Sequence, residues 1–150
     1  MINQFKDKYT WLSNFAPVYI YTKDGFYPSV EHAYQAQKSI DTNWKEICMN
    51  TDKSPGEIKK LSKKINLIKD WENNKVSIMK GLLREKFAQE PFKTRLLKTG
   101  DEVIIEGNYW NDQFWGVCLK TNKGKNVLGT LIMEIRSDLK KGATWTEKMR

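Results

Sequence analysis

The chain has 150 residues, of which 39% are hydrophobic and 29% charged, with a formal net charge of +8. That length suits one ordinary domain with a single core, and that balance describes a soluble globular protein rather than a disordered one. No stretch approaches the roughly 20 apolar residues with which a helix crosses a bilayer.

The first residues run straight into Asn3, Lys6 and Asp7 without an apolar signal core, so a cytoplasmic protein is expected. Tyr19 to Thr22 reads as a strand entering a turn at Lys23-Asp24-Gly25, because Asp-Gly readily supplies positive φ. A second strand is expected from near Phe26 to Pro28. Ser29 then caps a helix through about Lys38, with Val30, Ala33 and Tyr34 on its buried side. Trp44 to Met49 is a short helical piece. Ser54-Pro55-Gly56-Glu57 is a strong helix start, with Ser as cap, Pro at the first position and Glu at the third for a capping box, running to about Lys64.

The longest helix is expected from Asp70 to Gln89. Trp71, Ile78, Met79, Leu82, Leu83 and Phe87 form one wide apolar stripe, and Lys75 and Lys86 fall on or beside it. Pro91 breaks that helix, and Phe92 to Thr99 adds a further turn or two ended by Gly100. Val103 to Glu106 reads as a strand. Gly107 to Lys125 is aromatic- and glycine-rich without helical period, hence a loop segment with a short strand expected at Phe114 to Leu119. Leu128, Leu131, Ile132, Ile135 and Leu139 define a last helix that Gly142 ends. The expected fold is α+β: a mainly helical single domain over residues 1–150 with a small β-sheet. No repeat, low-complexity tract or linker interrupts it.

The charge does not by itself specify a partner. The only arginines are Arg84, Arg95, Arg136 and Arg150, whereas specific recognition of phosphates and bases leans on arginine. The dense cluster Lys59, Lys60, Lys63 and Lys64 has the spacing of a solvated helix face, with attraction of an anionic ligand as the alternative. Cys48 and Cys118 are far apart, outside metal or redox spacings, and read as thiols of a reducing compartment. With one histidine and no HExxH, no protein-bound metal is expected; with no Walker-type or GxGxxG loop, nucleoside triphosphate hydrolysis and Rossmann cofactors are poorly supported.

Two stretches hold more polar and aromatic residues than a core needs. In the first, Glu31 falls in the opening turn of a helix, where dipole and free amides tend to keep a carboxylate ionised. Gln35 lies one turn on, on the same face, and can hold a carboxylate or substrate. An ordinary first-turn acid is the alternative for Glu31, and His32 reads as a structural hydrogen-bonding residue before a catalytic acid. In the second, Glu106, Asn108, Asn111, Asp112, Phe114, Trp115 and Gly116 crowd together. Such a set can stack a flat ring while carboxylates and amides hold its polar edges; the alternative is a loop that plugs the core.

These residues together resemble the NADAR family, also called YbiA-like. The matching blocks are Leu12-Ser13-Asn14-Phe15, Asp24-Gly25 leading to Tyr27-Pro28-Ser29-Val30-Glu31-His32-Ala33-Tyr34-Gln35-Ala36-Gln37-Lys38, and Trp71-Glu72 through Lys75, Met79 and Leu83 to Lys86-Phe87. They continue with Leu96-Leu97-Lys98-Thr99-Gly100-Asp101, Glu106, Asn111-Asp112, Phe114-Trp115-Gly116 and Gly124-Lys125-Asn126-Val127-Leu128-Gly129. The resemblance implies an N-glycosidase acting on ribose or ribose phosphate joined to a nitrogenous ring. Family members are associated with phosphoribosylaminopyrimidine intermediates of riboflavin synthesis, and others with removing ADP-ribose from guanine in nucleic acid. It implies catalytic roles for Glu31 and Asp112, and substrate contacts from Asn14, Phe15, Gln35, Trp71, Lys75, Lys86 and Trp115, with no cofactor or metal. Trp71 can equally be core, and Lys75 and Lys86 can equally snorkel to solvent. Two other classes stay open: a non-catalytic module binding ADP-ribose or NAD, and a nucleic-acid-binding protein driven by charge, with steep salt dependence.

Overall fold

The computed structural model describes residues 1–50 and 52–145; Arg150 lies outside them. Among the described residues no helix is long and apolar enough to cross a membrane. The chain is mainly helical and α+β, and it divides into two compact units: Asn14–Lys86 with Trp145, and Met1–Ser13 with Phe87–Thr144.

The first unit begins with a hairpin of β1 (Ile20–Thr22) and β2 (Gly25–Tyr27), antiparallel with Ile20 opposite Tyr27 and Thr22 opposite Gly25. Gly25, at φ +135°, supplies the backbone conformation this turn requires. Helix α1 (Val30–Ala36) starts where expected. Ser29 is its cap, Oγ accepting from the His32 amide at 3.1 Å. All its residues are buried, and it packs against the hairpin and against α2 (Thr42–Met49) and α3 (Pro55–Leu61). A helix enclosed this way has no solvent face to spare for polar residues, so each one on it needs a local reason. Asp41 caps α2, which begins two residues before the Trp44 start read from the sequence. The capping box of Ser54 and Glu57 opens α3 as expected, but the chain tightens into a 3-10 turn at Ser62–Lys64. Lys59, Lys60, Lys63 and Lys64 are all exposed, as a solvated face requires. Helix α4 (Trp71–Phe87) buries Trp71, Met79, Leu82, Leu83 and Phe87.

The second unit holds a 3-10 helix at Asp7–Leu12 that composition did not signal, then α5 (Phe92–Lys98) and α6 (Val127–Lys140). Leu128, Leu131, Ile132, Ile135 and Leu139 of α6 are buried, matching the sequence stripe. The expected strand at Val103–Glu106 is not one. Only Ile104 makes a bridge, parallel to Ile2. On its other side the Asn126 side chain takes a strand's place, accepting from Glu106 N at 3.0 Å and donating to Ile104 O at 2.9 Å. Regular pairing starts later, at β3 (Gly107–Asn108), parallel to β4 (Val117–Cys118). The strand residues thus form two separate two-stranded sheets. Cys48 and Cys118 are both buried free thiols.

Candidate active site

Glu31 is only 6% exposed, in the first turn of α1. Its backbone N–H donates to Asn14 O at 3.0 Å, which brings the Asn14-Phe15 block against the start of the helix. One turn on, Gln35 Nε2 donates to Glu31 Oε1 at 2.7 Å. The helical spacing of four residues that suggested this pair therefore produces it. The electrostatic expectation is reversed, however. Burial pushes the Glu31 carboxyl above its ordinary range, and the Gln35 hydrogen bond, Lys59 and Lys38 oppose that push without cancelling it. In the fully enclosed α1, desolvation outweighs what the first-turn position gives the charge.

Two side-chain oxygens in this cluster are buried without a hydrogen-bond partner: Gln35 Oε1 and Asn14 Oδ1. Asn14 spends its amide on a weak bond to Met79 Sδ at 3.6 Å. Buried acceptors of this kind are rare in structures and concentrate where a ligand's donors can complete them.

Lys38 is the residue that sequence reasoning missed as a site candidate. It is half-buried, with its Nζ 5.5 Å from the Tyr34 ring centre and 5.8 Å from that of Trp71. Burial lowers its pKa, opposed by the Glu31 charge and deepened by Lys59 and Lys75. The signal was present in the spacing, since Glu31, Gln35 and Lys38 recur at four and seven residues and so share a face. Trp71 itself is buried, its ring 5.2 Å from Tyr34 and tilted against it. The Lys38 cation lies over this pair of rings.

Phe15 is 44% exposed and lies beside Gly56 at the start of α3. Lys75 is half-buried and pairs with Glu72. Lys86 does not snorkel: it is fully buried, and desolvation lowers its pKa to about 7. His32 is structural, as expected. Its Nε2 donates to Lys53 O at 2.8 Å, and its Nδ1 meets Ser29 Oγ at 2.6 Å. Because the Lys53 carbonyl can only accept, Nε2 carries a proton.

Asp112 and Trp115 lie in the other unit, in a loop built by side-chain clamps. Asn108 holds the Asp112 backbone from both sides, accepting from its N at 3.0 Å and donating to its O at 2.9 Å. Asp112 Oδ1 accepts from the amides of Phe114 at 3.1 Å and Trp115 at 3.0 Å. The Phe114 and Trp115 rings meet edge to face at 4.9 Å, and their carbonyls accept from Val127 N and Leu128 N at the start of α6. A side chain at residue 116 has no room, because a Cβ there would lie 1.8 Å from Glu106 Oε2. The half-buried Trp115 indole is therefore held on a rigid turn.

The NADAR domain model matches residues 2–140. N-glycosidase Npun_R5314 of Nostoc punctiforme is 34% identical, aligned over 88% of this chain and 86% of its own. N-glycosidase YbiA of Escherichia coli is 35% identical, over 89% of this chain and 83% of its own. Riboflavin biosynthesis protein VVA0006 of Vibrio vulnificus is 32% identical over 93% of this chain, which spans 38% of that longer protein. The NMR structure of E. coli YbiA superposes with a TM-score of 0.81 at 32% identity, over 95% of this chain and 88% of that one. A family-wide match and relatives aligned along most of both chains lead to one conclusion: the chain belongs to the NADAR domain family.

Proposed function

We propose that this protein hydrolyses the ribosyl C–N bond of a phosphorylated, nucleotide-like metabolite of the phosphoribosylaminopyrimidine type, with Glu31 as the carboxylate at the reacting carbon. Membership of the family, with relatives named N-glycosidases, supports a hydrolase of N-glycosyl bonds. Relatives named for riboflavin biosynthesis support the substrate class. The observation that carries the reading is the buried Glu31 carboxyl, gripped by Gln35 and influenced by Lys38 and Lys59.

The chemistry asks for such a group. As the C1′–N bond breaks, its electron pair leaves with the nitrogen and positive charge builds on C1′ and O4′. A carboxylate in a site of low dielectric stabilises that charge far better than one in water. Water then adds to C1′, Glu31 takes its proton and the departing nitrogen takes up one from solvent; a base whose pKa is raised towards the working pH does this more readily. The unpartnered Gln35 Oε1 and Asn14 Oδ1 are suited to the ribose hydroxyls or the ring's N–H groups. Lys38, Lys59 and Lys75 supply positive charge suited to the phosphate, and Phe15 supplies a ring suited to the base. Lys86, in this reading, adds a deep cationic or neutral donor. Asp112 Oδ1 shapes its loop by accepting from two amides, which leaves Oδ2 for the carboxylate role the resemblance implies.

The test is a mass-spectrometric product assay with purified protein and Glu31→Gln as control. The expected result is release of ribose 5-phosphate from phosphoribosylaminopyrimidine by the wild type only. Release of ADP-ribose from ADP-ribosylated guanine in DNA, without turnover of the first compound, would replace the substrate class. Turnover of neither by folded protein would favour a binding module for ADP-ribose or NAD.

A further inference from the structure

Within the unit formed by Met1–Ser13 and Phe87–Thr144 lies an open cleft of about 620 Å³ that none of the residues above uses. Its walls come from the 3-10 helix Asp7–Leu12 and from α5. Lys8, Arg95 and Lys98 bring three cations, Tyr9 and Trp11 two aromatic rings, and Thr10 and Thr99 hydroxyl groups. Lys8, Arg95 and Lys98 are exposed, and among the described residues none of them is in an ion pair.

The nearby carboxylates do not cancel them. Glu102, on the cleft's rim, pairs with the Met1 ammonium, and Asp101 pairs with Lys140 at 2.8 Å. The rings are held in place. Trp11 donates its indole N–H to Lys8 O at 2.9 Å, and Lys8 Nζ lies 5.2 Å from the Tyr9 ring centre. Thr99 is fixed from below, its Oγ1 accepting from the buried Arg136 at 2.8 Å. Uncompensated cations beside ordered aromatic rings are the pairing that proteins use to hold a phosphate and stack the flat ring attached to it. A cleft of this volume lies in the usual size range of small-molecule sites.

We propose that this cleft is a second ligand site, taking a phosphate ester carried next to a flat ring: a free nucleotide or one segment of a single nucleic-acid strand. Arg95 and Lys98 hold the phosphate, and Trp11 and Tyr9 stack the ring. The site is independent of Glu31 and does not depend on the reaction proposed for it.

The experiment measures binding of AMP and of a fluorescein-labelled ten-residue oligothymidylate to the full chain, by calorimetry and by anisotropy at moderate salt. The variants are Arg95→Ala/Lys98→Ala, Trp11→Phe and Glu31→Gln. Both cations are exposed, so the double variant is expected to fold, which circular dichroism checks. The proposal expects the double variant to lose affinity by at least about tenfold for whichever probe binds, the cost of removing charge-assisted phosphate contacts. Trp11→Phe loses less, whereas a loss in Glu31→Gln with the double variant unchanged assigns the binding to the Glu31 site and overturns the proposal. Binding of AMP identifies a nucleotide site; binding of the oligothymidylate alone, with a salt slope reduced in the double variant, identifies a strand site. Binding of neither probe, or binding that the double variant leaves unchanged, overturns the proposal.

Discussion

Gln35 gives its amide to the Glu31 carboxylate at 2.7 Å while its own carbonyl oxygen stays buried and unpartnered. One residue thus positions the acid and presents an acceptor beside it. A helix core gains nothing from an unmatched carbonyl, which costs stability when left dry. The proposed ligand would complete that acceptor.

Replacing Glu31 with Gln separates these two effects. Turnover is expected to fall by about 10²-fold or more, the usual contribution of a positioned acid–base group. Stability should move the other way. The folded-state pKa of Glu31 lies above its ordinary value, so the wild type loses stability as pH rises from the ordinary carboxylate range through the raised value. At neutral pH the variant should melt no lower than the wild type, and the two curves should converge in acid. A clearly lower melting temperature would mean that the charge stabilises the fold.

The pH–rate profile gives an independent check. If the Glu31 carboxylate is the base, activity falls as pH drops through a point above the ordinary carboxylate range. Gln35→Leu removes the hydrogen bond that holds this pKa down. Its acid limb in kcat/KM should therefore shift to higher pH. An unmoved limb would assign it to another group.

Lys86 should be visible in the pH dependence of stability. Burial lowers it from 10.5 to about 7, so between those values the unfolded chain binds the extra proton. Wild-type stability should therefore rise with pH across that window and be lost again as pH falls towards 7. Urea denaturation of Lys86→Met should lack that rise. Parallel curves for the two proteins would mean that Lys86 stays charged in the fold.

Ser29 serves α1 and His32 together, accepting from the His32 amide and meeting the His32 ring. Ser29→Ala is expected to cost about 1–2 kcal/mol in chemical denaturation, the range for losing a helix cap. An unchanged midpoint would show that the cap is dispensable.

Gly116→Ala places a methyl carbon 1.8 Å from Glu106 Oε2 and 2.1 Å from the Glu106 carbonyl oxygen. The side chain can swing away but the backbone oxygen cannot. The turn carrying Trp115 must then shift, with a loss of about 1–3 kcal/mol typical of overpacking. Thermal denaturation with near-ultraviolet circular dichroism would detect both; wild-type values in both would show that the loop has room to give.

Much of this protein was legible before any coordinates, and for a common reason. The Ser54–Glu57 capping box, the Ser29 cap, the Asp24-Gly25 turn and the apolar stripe of α6 are local signals, decided by residues within a turn or two of each other. The Glu31–Gln35 pair belongs with them, because helical spacing alone brings the two side chains together. The family blocks, spread along the whole chain, carried the expected chemistry. What tertiary structure alone decided is how deeply each group lies and what its distant neighbours are. Glu31 reads as an acid kept ionised by its helix, yet enclosure of α1 raises its pKa. Lys86 reads equally as a substrate contact or a lysine snorkelling to water, and only its complete burial removes the second. Val103–Glu106 reads as a strand, yet an asparagine from the start of α6 occupies the partner's place. Desolvation and long-range pairing depend on chain segments tens of residues away, and no local pattern encodes them.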